Sequence, residues 1–195
     1  QPGYPYLMFK DNANKVHALK DIGQIKISNL CTEIFQLQET SIIKDYEEED
    51  IIKRDISCNL GSLNITNVME SKRVKDSIYT AMDALTFVSD YTDIKNAPGV
   101  RKANRELHSV GLGAMNLNGY LAKNGIAYDS EEAKDFANVF FMMMNYYTLK
   151  KSMYIARARK EKFKDFEKSE YAKGTYFDKY TEKDYYPQTE KVKAL

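Results

Sequence analysis

The spacing of apolar positions changes along this chain, and the changes divide it. Residues 3–9, GYPYLMF, are a short apolar run after a turn, which predicts a buried strand. A polar, turn-rich stretch follows. Residues 24–28, QIKIS, then alternate with a period of two and lead straight into Asn29, which predicts a second strand. Beyond Ile34 and Phe35 the chain turns polar and ends in Glu47-Glu48-Glu49-Asp50, a run that belongs in a solvated loop. Alternation returns at 54–69, RDISCNLGSLNITNVM, where apolar Ile56, Cys58 and Leu60 are separated by polar neighbours. Gly61 there allows a bulge or a close backbone approach.

The second half changes to a helical period. Val74, Ile78, Ala81, Met82, Leu85 and Val88 line one face of a predicted helix over 72–92. Asn96-Ala97-Pro98-Gly99 breaks that pattern. Residues 100–124 read as largely helical, closing at Asn124-Gly125. Asp129 with Glu132 forms a capping pair for a long helix over about 130–160, with Phe136, Phe140, Met143, Met144 and Tyr147 as core. The tail, 161–195, is rich in Lys, Tyr and Asp, has weak periodicity, and is expected to wrap the surface. Strands followed by helices predict an α/β domain or a piece of one.

Composition narrows the function. The chain has 195 residues, 43% of them apolar, enough for a sizeable core. Charged residues make up 29% and the net charge is +1, so nothing electrostatic points to nucleic acid or a membrane as partner. The two cysteines, Cys31 and Cys58, are too few for a secreted disulfide scaffold. The opening QPGYPYLMFK has no basic head or apolar run, and no stretch of about 18 apolar residues is present. A cytoplasmic protein with reduced thiols is expected. The opening Gln1 suggests a piece of a longer chain.

Several familiar motifs fail. Gly111-Leu112-Gly113 starts like a dinucleotide fingerprint, but Asn116 stands at the third glycine and no clear strand precedes it. Close packing at a helix start is the better reading. Zinc is not expected, since His17 and His108 are scattered relative to the cysteines. His108 reads as a structural histidine. There is no phosphate loop and no nucleophile elbow.

What remains is SNLCTEI, residues 28–34. On an extended segment Asn29, Cys31 and Glu33 would project to one side. The amide could hold a substrate hydroxyl and the carboxylate could take its proton. A thiolate nucleophile would need a nearby cation, whereas the immediate charged neighbour is Glu33. Hydrogen-atom chemistry by a neutral thiol is not opposed by that carboxylate. An inert buried cysteine is the third reading, and spacing alone does not choose among them.

SNLCTEI together with DISCNLGSLNI resembles the catalytic large subunit of aerobic ribonucleotide reductases. GYPYLMF, FVSD at 87–90, HSVGLGAMNLNGYLAKNGIAY at 108–128 and FDKYTEK at 177–183 extend the resemblance over the whole chain, in order. The pattern is closest to the class Ib branch, with Thr32 where that branch often has Ser. The resemblance implies an α/β fold, part of a ten-stranded α/β barrel with a finger loop, with helices dominating the C-terminal two thirds. Residues 1–195 would be a central slice of the barrel domain: finger loop about 24–36, redox-cysteine strand about 54–66, helical part about 72–160, surface tail 161–195.

It also implies roles. Cys31 would be the thiyl-radical site that takes the 3′ hydrogen of a ribonucleoside diphosphate. Glu33 would accept the 3′-hydroxyl proton and Asn29 would hold the substrate, with Leu30 and Thr32 lining the site through their main chain. Cys58 would be one half of a redox disulfide whose partner lies upstream. The reaction would give 2′-deoxyribonucleoside diphosphates for DNA synthesis. No cofactor or metal is expected in this segment. The radical would come from a dimetal-tyrosyl small subunit, electrons from a thioredoxin- or glutaredoxin-like reductant, and ATP or dNTP effectors would bind parts absent here. The full-length subunit would be a homodimer, and the isolated slice would be inactive and prone to aggregate at open sheet edges. Tyr146-Tyr147 and Tyr185-Tyr186 read as helix core and tail surface. A related glycyl-radical barrel enzyme and a non-catalytic helical interaction module with inert cysteines are the alternatives.

Overall fold

The computed structural model describes residues 5–195. In chain order the elements are α1 (Lys10–Val16), β1 (Leu60–Asn64), α2 (Ile65–Glu70), α3 (Val74–Tyr91), α4 (Pro98–Leu107), β2 (Gly111–Met115), α5 (Leu117–Lys123), α6 (Glu131–Arg159), a 3-10 turn (Phe166–Lys168), α7 (Glu170–Lys173), α8 (Glu182–Tyr185) and α9 (Glu190–Lys193). They fall into two compact units. One holds the residues through Asn59, Val88–Ser109 and Lys162–Phe177; the other holds Leu60–Phe87, Val110–Glu161 and Asp178–Leu195.

The first unit has no strand ladder among the described residues. Its one bridge, Ile42 with Ile51, closes a hairpin that carries the acidic run. The strand expected over 3–9 does not form at 5–9, where Tyr6, Leu7 and Phe9 are exposed; residues 3 and 4 lie outside the described residues. The strand expected over 24–28 is also absent. Ile25 is buried there, but Asn14 supplies the bonds a neighbouring strand would give: the Ile25 N–H donates to Asn14 Oδ1 at 2.7 Å, and Asn14 Nδ2 donates to the Ile25 carbonyl at 2.9 Å. Period-two patterning marks a pleated conformation, not the presence of a partner.

Helix α4 begins with Pro98 in its first turn, where a missing N–H costs nothing. Gly99 is needed by close approach: a Cβ there would lie 3.0 Å from the Lys53 carbonyl oxygen and 3.1 Å from Asp55 Cβ. The Asp55 N–H donates to the Gly99 carbonyl at 3.1 Å across that contact. His108, left-handed at φ 52°, ends the helix.

The second unit contains the two strands, paired parallel with Leu60 opposite Gly111 and Asn64 opposite Met115. The expectation that 100–124 is largely helical is therefore corrected. Gly111–Met115 is a strand, because pairing with β1 outweighs local preference. The expected redox-cysteine strand is also shorter than predicted: pairing starts at Leu60, beyond Cys58, and residues 65–70 are helical. With two strands and no closed barrel among the described residues, the chain is helix-rich.

The core of this unit gathers Ile65, Ile78, Met82, Leu121, Phe136, Phe140 and Met144. Rings stack through it, Tyr120 on Phe136 at 4.8 Å and Phe136 on Phe140 at 5.8 Å. Met143 and Tyr147 pack against its margin, and Val88, placed on the buried face of the α3 pattern, is exposed instead. Ser130, not Asp129, caps α6 by accepting from the Ala133 N–H at 3.1 Å. The tail does more than wrap the surface, since Val192 enters this core. No helix among the described residues is long and apolar enough to cross a membrane.

Candidate functional site

The segment 28–34 is a turn, not the extended strand that spacing suggested. The Thr32 N–H donates to the Asn29 carbonyl at 3.1 Å, and Thr32 adopts φ 64°. This closure puts Leu30 and Cys31 at the apex, Leu30 88% exposed and Cys31 exposed. The turn, instead of strand alternation, brings Asn29 and Glu33 together. Asn29 Nδ2 donates to Glu33 Oε1 at 2.7 Å, and Asn29 Oδ1 accepts from the Ile34 N–H at 3.0 Å. One carboxamide thus fixes both the carboxylate and the chain leaving the turn. Asn is suited to this because its short side chain presents a donor and an acceptor together. Ile34 and Leu37 are buried behind the turn and anchor it.

Cys58 comes to the same place from another segment. Its thiol is pushed up from the ordinary value, first by desolvation, then by the Glu33 carboxylate and by Cys31. A neutral thiol is therefore favoured at Cys58. The two cysteines are free, and both are exposed. The structure thus brings all the sequence-predicted residues, Asn29, Leu30, Cys31, Thr32, Glu33 and Cys58, to one locality of the first unit.

Ile56, Cys58 and Leu60 alternate with polar neighbours in the sequence, and in the structure it is the polar Ser57 and Asn59 that are buried, at 2% and 5% exposure, while Cys58 and Leu60 are exposed. Burial of two polar side chains is tolerable because both are bonded. Asn59 Nδ2 donates to Asn104 Oδ1 at 2.8 Å, to Ser57 Oγ at 3.0 Å and to the Ser109 carbonyl at 3.1 Å. Asn104 Oδ1 also accepts from the hydroxyls of Ser57 and Ser89. With 57 and 59 held on that side, the pleat turns Cys58 the other way, toward Glu33 and Cys31.

Sequence reasoning missed the scaffold around the site. Asn104 sits in a helical segment without any local mark of its role. Arg54 is buried, with guanidinium nitrogens 3.5 Å from Glu39 and 3.4 Å from Glu106. Gln36 bonds both main-chain groups of Ser57: its Nε2 donates to the Ser57 carbonyl at 2.7 Å, and its Oε1 accepts from the Ser57 N–H at 3.0 Å. In the sequence Gln36 and Gln38 stand as ordinary polar neighbours of Leu37. Nothing local identifies their partners.

Comparison with known proteins shows the family. The profile of the ribonucleotide reductase barrel domain matches residues 1–195. The chain is 56% identical, over its full length, to the ribonucleoside-diphosphate reductase subunit alpha of Bacillus subtilis (strain 168), covering 28% of that protein. It is 45% identical to the subunit alpha of Mycoplasma genitalium, again over the full chain and 27% of that protein. Among solved structures, the class Id ribonucleotide reductase alpha subunit of Actinobacillus ureae superposes with a TM-score of 0.59 at 28% identity, over 80% of this chain and 29% of that one. The chain belongs to the ribonucleotide reductase barrel-domain family. It spans little more than a quarter of the length of these relatives.

Proposed function

We propose that this chain is the central slice of a catalytic subunit that reduces ribonucleoside diphosphates to 2′-deoxyribonucleoside diphosphates by thiyl-radical chemistry. One observation carries the reading. An exposed thiol stands at the apex of a turn whose base holds a carboxylate oriented by an amide, with a second thiol in electrostatic reach.

The division of labour follows from those groups. Cys31, oxidised by one electron with loss of its proton, takes the 3′ hydrogen of the ribose as a thiyl. Glu33 accepts the 3′-hydroxyl proton as a general base. Loss of the 2′ hydroxyl as water follows, and two thiols supply the two electrons, closing a disulfide as they do. Cys58 is one of those thiols, and the other lies in a part of the subunit outside this chain. Its raised thiol value keeps Cys58 protonated until it is used. Asn29 has two tasks, since the carboxamide that would meet the substrate also holds Glu33. Main-chain groups at Leu30 and Thr32 line the substrate position. A separate radical-generating subunit supplies the oxidising equivalent, a thioredoxin- or glutaredoxin-like protein returns Cys58 to the thiol, and the subunit works as a dimer in the cytoplasm within a ten-stranded barrel.

The test is Cys31→Ser in the full-length subunit, assayed with its radical-generating partner on a ribonucleoside diphosphate. Deoxyribonucleotide formation falls to background. Sustained turnover by the folded variant would overturn the reading.

A further inference from the structure

The thiol of Cys58 is useful only at a defined distance from the Asn29–Glu33 turn, yet no strand ladder links the two segments among the described residues. We propose that Gln36 is a positioning residue: its carboxamide clamps the main chain of Ser57 and sets where Cys58 stands relative to the turn. The inference rests on the proposed function and assigns a role to a residue outside its chemistry.

Both bonds of the clamp are well formed, 2.7 Å to the Ser57 carbonyl and 3.0 Å from its N–H. They reproduce the pair of bonds that one residue exchanges with an antiparallel neighbour. The next link is a true main-chain bond, from the Glu39 N–H to the Arg54 carbonyl at 2.9 Å. Nearer the turn, no main-chain bond joins positions 36 and 57, and the glutamine side chain bridges the segments there as a spacer.

Each end of the spacer is fixed. On one side, Gln36 lies two residues after Ile34, whose N–H is held by Asn29, and directly before buried Leu37. Glu33 and Gln36 thus belong to one short, pinned stretch. On the other side, Ser57 and Asn59 are held by Asn104 from the face opposite Cys58. Between two fixed ends, the clamp length decides the gap between Cys58 and Cys31. The device recurs in the same unit, where the Asn14 carboxamide bonds both main-chain groups of Ile25. There, too, a side chain stands in for an absent strand.

The test uses the full-length subunit and dibromobimane, a short reagent that fluoresces once both arms have alkylated thiols. Fluorescence that disappears in Cys31→Ser and in Cys58→Ser measures their juxtaposition. Gln36→Leu keeps the bulk and loses both bonds. It should lower that crosslinking severalfold and, in assay, lower kcat by about ten- to a hundredfold with KM changed by less than about twofold, the signature of misplaced reacting groups. Gln36→Glu keeps the acceptor for the Ser57 N–H and should recover part of both. If Gln36→Leu does not fold, Gln36→Glu carries the test with an intermediate yield. Wild-type crosslinking in the folded variant overturns the inference, as does a loss of kcat with crosslinking unchanged. A Cys31→Ser enzyme that still turns over would instead sink the proposed function, while the crosslinking yield continues to report on the clamp.

Discussion

The two units of this chain are held together by different means. In the second, every buried side chain is apolar or, at Tyr120, aromatic. In the first, the buried set includes Arg54, Ser57, Asn59, Ser89, Asn104 and Ser169, which are all of the buried polar and charged residues described. Apolar burial is strong but non-directional. Hydrogen bonds add about 1 kcal/mol each in net terms, but they fix distance and angle. The unit that presents Cys31, Glu33 and Cys58 adds the directional kind to a small apolar set, Ile25, Ile34, Leu37, Ala103 and Leu107. The unit that carries the stacked rings is built from the other. Stability and placement are thus supplied by different parts of the sequence.

The comparison breaks if the two kinds of burial respond alike. The largest effect is expected for Phe140→Ala in α6. Phe140 is 2% exposed and contacts Phe136 and Phe141. Its removal should cost about 3–5 kcal/mol, read as a lowered denaturation midpoint of the full-length subunit. Turnover per folded molecule should hold. Asn104→Ala comes next. It takes the shared acceptor away from Ser57, Asn59 and Ser89, leaving the buried hydroxyls of Ser57 and Ser89 without it while Asn59 keeps Ser57 and the Ser109 carbonyl, at a cost of about 1–3 kcal/mol. Here turnover per folded molecule should fall more than the stability loss alone explains, because Cys58 loses the backing that aims it. Equal turnover in the two variants would mean that the polar cluster is only another core.

The same contrast decides what could be read from sequence. Apolar positions at helical spacing marked α3 and α6 well: Ile78, Met82, Leu85, Phe136, Phe140 and Met144 are all buried. Periodicity works there because hydrophobic burial needs only a face. The residues of SNLCTEI were legible as candidates but not as geometry. Alternation suggested a strand, and a turn closed by Asn29 brought Asn29 and Glu33 together instead. At 54–60 the alternation alone did not show which face is buried, and the polar Ser57 and Asn59 are, because they find partners in Asn104, some 45 residues further on in the chain. Directional bonds between distant residues leave no local period. Gln36, Asn14 and Asn104 carry that information, and each looks like an ordinary surface amide in the sequence. Strand β2 was missed for a related reason, because its partner β1 lies far away in sequence.

The smallest expected effect sharpens the comparison from the other side. Asp135 is a polar device inside the apolar unit. It accepts from the main-chain N–H groups of Gln188 and Thr189 and from the Thr189 hydroxyl, at 2.8–3.0 Å, at the start of α9. Burial works against its charge, but the bonds from Thr189 and Gln188 outweigh that and hold its carboxyl below the ordinary value. A depressed carboxylate contributes stability that is complete above its unfolded value and is lost as pH falls through its folded value. Asp135→Asn keeps the shape and one acceptor but removes the charge. Near neutral pH it should cost about 1 kcal/mol, because the site is only partly buried. The difference from the unsubstituted protein should shrink as pH drops below the ordinary carboxylate range. Turnover per folded molecule should stay unchanged, since these bonds dock the tail and reach nothing that carries Cys31 or Cys58. Unfolding midpoints and turnover measured on the same two proteins across pH separate the cases. A loss of turnover at neutral pH would mean that the tail of the apolar unit also governs placement, and the division between the two kinds of burial would no longer follow the division between stability and chemistry.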